Sequence, residues 1–291
     1  MGSQYSGNKN FSSKRNSYRK TNASLTKNYF HPYAQNYFDR VISSGSSLTD
    51  SAKTAINKYI ISLVSAGLWD KIIDMGLFCG PSNLVGALTK LKYTTSSRLI
   101  NTNFIEADYI STGANAGLIG NGTNKFLDTM FTPNVLGHSL GVYFSDNAEV
   151  ASSRCILGIE DSVVTAGDAR QSLHASSTSL ASMGMRTFTG NFSSKTRANG
   201  LLLGRYNPFT NVIQSSYNGE PYSTSTATFS NVYLSSSPFG VFARNAFGVG
   251  SAYSASRLAF YVIGTQFWTD ADTANFNNIS KLFLASFGIM F

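Results

Sequence analysis

Glycine and asparagine crowd the stretch from Gly113 to Asn124, and this punctuation constrains the architecture more than any other feature. Both residues tolerate positive φ and weaken helices, so a helix does not cross such a stretch. Ahead of it, apolar residues recur at helical spacing. Beyond it they alternate as in strands, until one last helical pattern. Phe126 and Met130 resume the apolar pattern around Asp128, which predicts a sandwich strand there.

At 291 residues the chain can bury a full core, and one large domain with appendages suits that length. Only 13% of residues are charged, while Ser, Thr, Asn and Gly abound. That balance fits an all-β protein rich in turns and argues against a helical bundle. No run reaches the roughly 18 apolar residues of a membrane span, and the start has no apolar signal core. Neither membrane anchoring nor Sec-type export is therefore expected. Cys79 and Cys155 are the only cysteines, and their spacing predicts two free buried thiols.

Charge is unevenly spread. Lys9, Lys14, Arg15, Arg19, Lys20 and Lys27 all precede Asp39, the first acid, and account for six of the net eight positive charges. Residues 1–38 also carry Tyr5, Phe11, Tyr18, Tyr29, Phe30, Tyr33, Tyr37 and Phe38. Three readings fit so basic and aromatic a segment. It is a solvated tail, an extended arm that orders by docking its aromatics on a neighbouring subunit, or a single-stranded nucleic-acid binder stacking bases on its rings. The docking arm is the preferred one.

Residues 39–92 read as a helical region. Ser47 to Ala66 is its clearest helix, with Ser47 and Asp50 as a capping box and Ile56, Tyr59, Ile60, Leu63 and Val64 as its stripe. A second helix is predicted over Leu68–Met75, with Trp69, Ile72 and Ile73 inward, and a weaker third over Asn83–Leu91. Residues 93–291 read as a β-sandwich closed by a C-terminal helix over 269–287. His138–Ser145 and Arg154–Ile159 are predicted as paired strands. Gln171–Ala175, Arg186–Gly190, Gly200–Tyr206, Phe229–Ser235 and the almost wholly apolar, hence central, Leu258–Ile263 follow. Asn218-Gly219 marks a type I′ hairpin turn. Thr269 to Asp272 forms a capping box, ahead of a stripe of Phe276, Ile279, Leu282 and Phe283.

Several stretches carry a resemblance. Gly-Leu-Trp-Asp-Lys (67–71) precedes Gly-Asn-Gly-Thr-Asn-Lys-Phe-Leu-Asp-Thr (120–129) and His-Ser-Leu-Gly-Val-Tyr (138–143). Tyr-Asn-Gly (217–219), Asn-Val-Tyr-Leu (231–234) and Ser-Arg-Leu-Ala-Phe-Tyr-Val-Ile-Gly (256–264) follow in order. Residues 39–291 thereby resemble concanavalin A-like, laminin-G-like jelly-roll proteins that bacteriophages and prophages encode among their structural genes. The resemblance implies a mainly β, concanavalin A-like jelly-roll sandwich with an N-terminal helical region and a C-terminal helix. It implies a virion structural protein, in a capsid, head fibre or tail, whose partners are other virion proteins and copies of itself.

Chemistry is sparsely signalled. Sandwich glycosidases need two carboxylates facing one cleft. Glu160-Asp161 are adjacent and so point to opposite strand faces, while Glu106 and Asp108 lack a third acid. His31, His138 and His174 accompany no nucleophile elbow, and ligand spacing for zinc is missing. No catalytic residue, metal or cofactor is expected. Host-surface glycan binding is the alternative, through Asp146 and Asn147, Tyr206, Asn207 and Phe209, or Tyr217 and Asn218. Phe239, Phe242, Phe247 and Tyr253 lie in a Gly/Ser-rich segment that reads as a subunit-contact loop.

Overall fold

The computed structural model describes residues 29–146, 154–161, 170–175, 181–185, 188–189, 199–207, 209–210, 212–226, 234–265 and 268–290. Its helices are α1 (Pro32–Ser43), α2 (Asp50–Ser65), the single turn α3 (Leu84–Ala87) and α4 (Asp270–Ala285). The strands of the first half are β1 (Ile72–Leu77), β2 (Lys90–Lys92), β3 (Ile100–Thr102), β4 (Tyr109–Ile110), β5 (Gly117–Ile119), β6 (Phe126–Asp128) and β7 (Ser139–Asp146). Then come β8 (Arg154–Ile159), β9 (Gln171–Ala175), β10 (Ala181–Met185), β11 (Phe188–Thr189), β12 (Gly200–Asn207) and β13 (Val212–Tyr217). The series closes with β14 (Ser223–Thr226), β15 (Gly240–Val241), β16 (Arg244–Ala246), β17 (Val249–Ser251) and β18 (Arg257–Gly264).

Two sheets form a mainly β sandwich. The first runs β14-β13-β12-β7-β18-β1-β2 with β4 and β5 beside β18, and the second runs β11-β10-β9-β8-β15-β6-β3 with β16 and β17 attached. A third layer of helices lies on the outer face of the first sheet. That sheet is consequently buried on both sides. Leu140, Val142, Phe144, Leu202 and Ile263 point into the inter-sheet core. Tyr143, Leu201, Leu203, Phe260 and Val262, from the same strands, point to the helices. Double burial is why β18 reads as a nearly continuous apolar run, and it lies centrally, between β7 and β1.

The helix layer is built by local rules. Thr49 caps α2, its hydroxyl accepting from Ala52 N at 3.1 Å, and Gly67 at φ +67° ends the helix where a left-handed residue is needed. The α2 start lies two residues beyond the predicted Ser47 cap, because Thr49 is the residue whose oxygen meets the free N–H. Tyr59 stacks on Phe283 of α4 at 4.2 Å and its hydroxyl meets Ser280 Oγ at 3.1 Å. Val64 and Leu282, expected in the apolar stripes, are exposed at the rims of the two helices.

The predicted Thr269–Asp272 box is present in full: Thr269 Oγ1 accepts from Asp272 N at 3.1 Å, and Asp272 Oδ2 accepts from Thr269 N at 2.8 Å. Burial works to raise the Asp272 carboxyl, but hydrogen bonds from Lys71 and Thr269 outweigh it and hold the group below the usual carboxylate range. Replacing Thr269 with alanine is expected to cost about 1 kcal/mol, read as a lower urea midpoint with an unchanged slope.

Four sequence-based expectations need correction. The predicted second helix at 68–75 is a short 3-10 turn, Trp69–Lys71, followed by strand β1. A short apolar run fits helix or strand alike, and pairing with β18 decides it. Gly76 marks the strand: a Cβ there would lie 2.4 Å from the Tyr261 ring. The third predicted helix shrinks to α3 and yields to β2. Residues 39–92, read as helical, therefore also supply two strands, β1 and β2, to the sandwich. Finally, β7 and β8 are not paired: β7 lies between β12 and β18, and β8 between β9 and β15 in the opposite sheet.

The extended arm also ends earlier than residue 38. His31 caps α1, with Tyr33 N donating to Nδ1 at 3.3 Å, and Pro32 occupies its first turn. Ala34, Tyr37, Phe38 and Val41 form a buried stripe that straddles the predicted boundary. Tyr37 and Phe38 are core residues of this subunit and do not dock on another. Phe30 packs edge-on against Phe38 at 5.1 Å. Tyr5, Phe11, Lys14, Arg15, Tyr18, Arg19 and Lys20 lie outside the described residues, as does most of the predicted strand Phe229–Ser235.

Candidate functional site

The acids singled out in the sequence are committed to structure. Glu106 accepts from Leu84 N at 3.0 Å, capping α3, and Asp108 pairs with Lys125 at 2.6 Å. Glu160 bridges Arg170 and Arg244, and Asp161 accepts from Ser236 N at 3.0 Å and from its hydroxyl at 2.8 Å. His138 Nδ1 meets Gly264 O at 3.0 Å, and burial lowers its basicity. His174 Nε2 meets Ser172 Oγ at 2.6 Å, and burial lowers its pKa to about 3. Cys79 and Cys155 are free and buried, and burial pushes the Cys155 thiol up to about 12. Among the described residues no group of three or more His, Cys, Asp and Glu side chains could hold a metal. No described helix is long and apolar enough to cross a membrane.

The six proposed glycan contacts among the described residues do not converge. Register places Asp146 beside Arg257, at the end of the first sheet where Gly200 pairs with Phe144 and Tyr217 with Leu202. Tyr206, Asn207 and Phe209 lie at the opposite end of β12, roughly five residues or about 17 Å away. Tyr206 is core, 2% exposed, and so is no platform for a sugar ring. Asn218 and Gly219 take the predicted turn, with φ of +53° and +78° and Glu220 N donating to Tyr217 O at 3.1 Å. The Asn218 side chain is engaged there, accepting from Leu201 N at 3.0 Å. Asn147 lies outside the described residues.

The predicted subunit-contact loop divides similarly. Phe239 and Phe242 are fully buried, Phe239 stacked on Phe131 at 6.1 Å and Phe242 tilted against Phe104 at 5.0 Å. They fill the inter-sheet core of their own subunit. Tyr253 rests half-buried on Phe126, and Phe247 alone is strongly exposed.

A different concavity stands out, a groove of about 420 Å³ between α1 and the edge strand β2. Pro32, Tyr33 and Asn36 of α1 line it together with Trp69 and Asp70 and with Leu91, Lys92 and Tyr93 at β2. Tyr33 stacks on Trp69 at 5.0 Å and an 18° angle, while Lys92 Nζ lies 5.0 Å from the Trp69 ring centroid. Arg40 spans the groove. Its Nη2 donates to the carbonyls of Lys90 at 2.8 Å and Leu91 at 3.2 Å, its Nη1 donates to Asn36 Oδ1, and its guanidinium lies 4.8 Å from the Tyr93 ring. Lys92 Nζ donates to Trp69 O. Burial depresses the Lys92 pKa, against an opposing pull from Asp70. A second groove, of about 320 Å³, continues from Asn36 and Arg40 toward Asp39 and Arg98. Of these residues only Tyr33 was singled out for a site in the sequence, and Trp69 was read as helix core. Residues 33, 40, 69 and 92 share no local motif; only folding joins them.

No protein-family model and no curated protein matches the chain. Among solved structures it is similar to the CBM40 of the Ruminococcus gnavus IT-sialidase, at 9% identity over 47% of this chain and 80% of that one, TM-score 0.41. It is similar to the NanB sialidase of Streptococcus pneumoniae, at 12% identity over 56% of this chain and 28% of that one, TM-score 0.43. It is also similar to the Trypanosoma rangeli sialidase, at 10% identity over 73% of this chain and 33% of that one, TM-score 0.49. At this level the likenesses carry no argument about chemistry.

Proposed function

We propose that this chain is a non-enzymatic structural protein of a bacteriophage particle, a closed sandwich body joined to neighbouring subunits through its basic leader. One observation supports this most: the first sheet is covered on both faces, by the second sheet and by the helices. A sandwich enzyme works across an open, acid-lined sheet face. Here the outer face of the first sheet lies under α1, α2 and α4, and the candidate acids cap one helical turn, hold Ser236 or close ion pairs. Residues 1–28 bring six cations, no acid and the aromatics Tyr5, Phe11 and Tyr18. That composition suits attachment to a partner surface, with aromatic burial adding to charge. Mass spectrometry of purified particles tests the reading. The protein is expected at a fixed copy number per particle, and deletion of residues 1–28 is expected to remove it. Particles lacking the intact protein would refute the assignment. Retention through a half-molar salt wash would separate aromatic docking from contact with packaged nucleic acid, which salt weakens steeply.

A second reading, recognition of a host-surface glycan by the displayed body, is favoured by the groove beside α1, which sets an exposed tyrosine next to charged and amide side chains.

A further inference from the structure

We infer that the groove between α1 and β2 is a binding site for an acidic sugar, a single pyranose ring bearing a carboxylate. The inference rests on the glycan-recognition reading above. Ring recognition comes first. Tyr33 is pinned between Trp69, on which it stacks, and His31, whose tilted ring lies 5.0 Å away, and it remains 46% exposed, so part of its ring stands in water already immobilised. The apolar C–H face of a pyranose fits such a surface, and fixing the platform in advance lowers the ordering cost of binding. Tyr93, 38% exposed, offers a second ring across the groove.

Charge selects the acid. Arg40 and Lys92 contribute two positive charges and Asp70 one negative, a net of +1 that matches one carboxylate. The two cations divide the work. Both Nη atoms of Arg40 are held by Asn36 and by the carbonyls of the edge strand, so Arg40 supplies field and no free fork. Lys92 spends one of three ammonium donors on Trp69 O and keeps two for a ligand. Partial burial leaves its ammonium incompletely hydrated, which strengthens its attraction to an anion. Asp70 and Asn36 are exposed at the rim, where hydroxyl groups need acceptors and donors. Along the two grooves Asp70 and Asp39 interrupt Lys92, Arg40 and Arg98, so a run of phosphates meets both signs and a nucleic-acid strand fits less well than one carboxylate. The volume, near the lower bound of ligand pockets, suits one or two rings.

Saturation-transfer and chemical-shift NMR on the full chain, with methyl glucuronide, N-acetylneuraminic acid, methyl glucoside, acetate and oligothymidylate as probes, tests this. The acidic sugars are expected to bind about tenfold more tightly than methyl glucoside, a factor that one added charged contact supplies. Lys92→Gln is expected to erase that preference, Lys92→Arg to restore part of it, and Tyr33→Ala to weaken all sugars while the melting temperature falls by only a few degrees, the loss of one stacked pair. Equal binding of neutral and acidic sugars would overturn the acidic assignment and leave glycan recognition standing. Sugar binding indifferent to Tyr33→Ala and Lys92→Gln would move the site elsewhere and overturn the groove. Acetate competing as well as the sugars would reduce the groove to a bare anion site. Binding of none of the sugars would overturn both the groove and the glycan reading, and tight binding of oligothymidylate lost in Lys92→Gln would replace them with a nucleic-acid site.

Discussion

Replacing Lys90 with methionine is expected to lower the unfolding free energy by about 3–5 kcal/mol, because it strips a buried carboxylate of its cation. Lys90 and Asp74 are both fully buried, with Nζ 2.7 Å from Asp74 Oδ2. Lys90 also donates to Thr129 O, and the Tyr261 hydroxyl donates to Asp74 Oδ1 at 2.5 Å. The network ties β1, β2 and β18 to the segment after β6. Pairing Asp74→Leu with Lys90→Met is expected to recover much of the loss, since a buried ion pair roughly cancels its own desolvation. Denaturant unfolding of the two variants measures this; a single-variant loss under about 1 kcal/mol would mean that water reaches the pair. A pH dependence follows. Burial raises the Asp74 carboxyl to about 6, against the pull of Lys90 and its hydrogen bonds. The folded state thus keeps a proton that the unfolded state, near the ordinary carboxylate value of about 3.9, has released. The contribution of this site to stability is complete below about pH 4, falls as pH rises toward 6, and is level above that. Asp74→Asn is expected to flatten the slope in that window alone, and an unchanged slope would assign the proton elsewhere.

Phe260→Ala carries the second large effect, a loss of about 3–5 kcal/mol. Phe260 is fully buried in the core between the first sheet and the helices, 5.7 Å from the Tyr143 ring and 5.9 Å, edge to face, from Phe276 of α4. The cavity would open between strand and helix, so the variant also tests whether the two layers form one cooperative unit. Far-ultraviolet circular dichroism and tryptophan fluorescence are expected to report one coincident transition at a lower denaturant midpoint. Helical signal lost ahead of the rest would mean that the layer is a separate domain. Leu282→Ala, at a residue 72% exposed on the same helix, is expected to stay within about 0.5 kcal/mol of the parent.

The features legible in the sequence were those whose cause lies within a few residues. The Thr269 box, the Asn218-Gly219 turn and the stop at Gly67 each depend on one or two local hydrogen bonds or positive φ angles. The apolar stripe of α2 and the run of β18 were legible because their periods state how many faces are buried. Ile72 to Leu77 was misread for the complementary reason: six residues, apolar but for Asp74 and Gly76, are too few to carry a period. The start of α1 was misread because a boundary drawn at residue 38 cut the stripe Ala34, Tyr37, Phe38, Val41 in two. Phe239, Phe242 and Tyr206 were assigned to surfaces on residue type, but an aromatic ring fills a core as readily as it offers a contact. Asp146 and Tyr206 both suit a sugar site by type, yet opposite ends of one sheet hold them.

What the sequence determined by itself was part of the local elements (α2, α4, the Asn218-Gly219 turn and β18), the mainly β class, the unpaired thiols and the crowding of positive charge before Asp39. Those follow from propensity, capping and burial period, which act over one or two turns of chain. Only the tertiary structure decided that three helices close the outer face of the first sheet, that β7 and β8 part into opposite sheets, and that Tyr33, Arg40, Trp69 and Lys92 meet in one groove. Such choices turn on which apolar faces bury each other, and that free energy depends on surfaces brought together from distant parts of the chain.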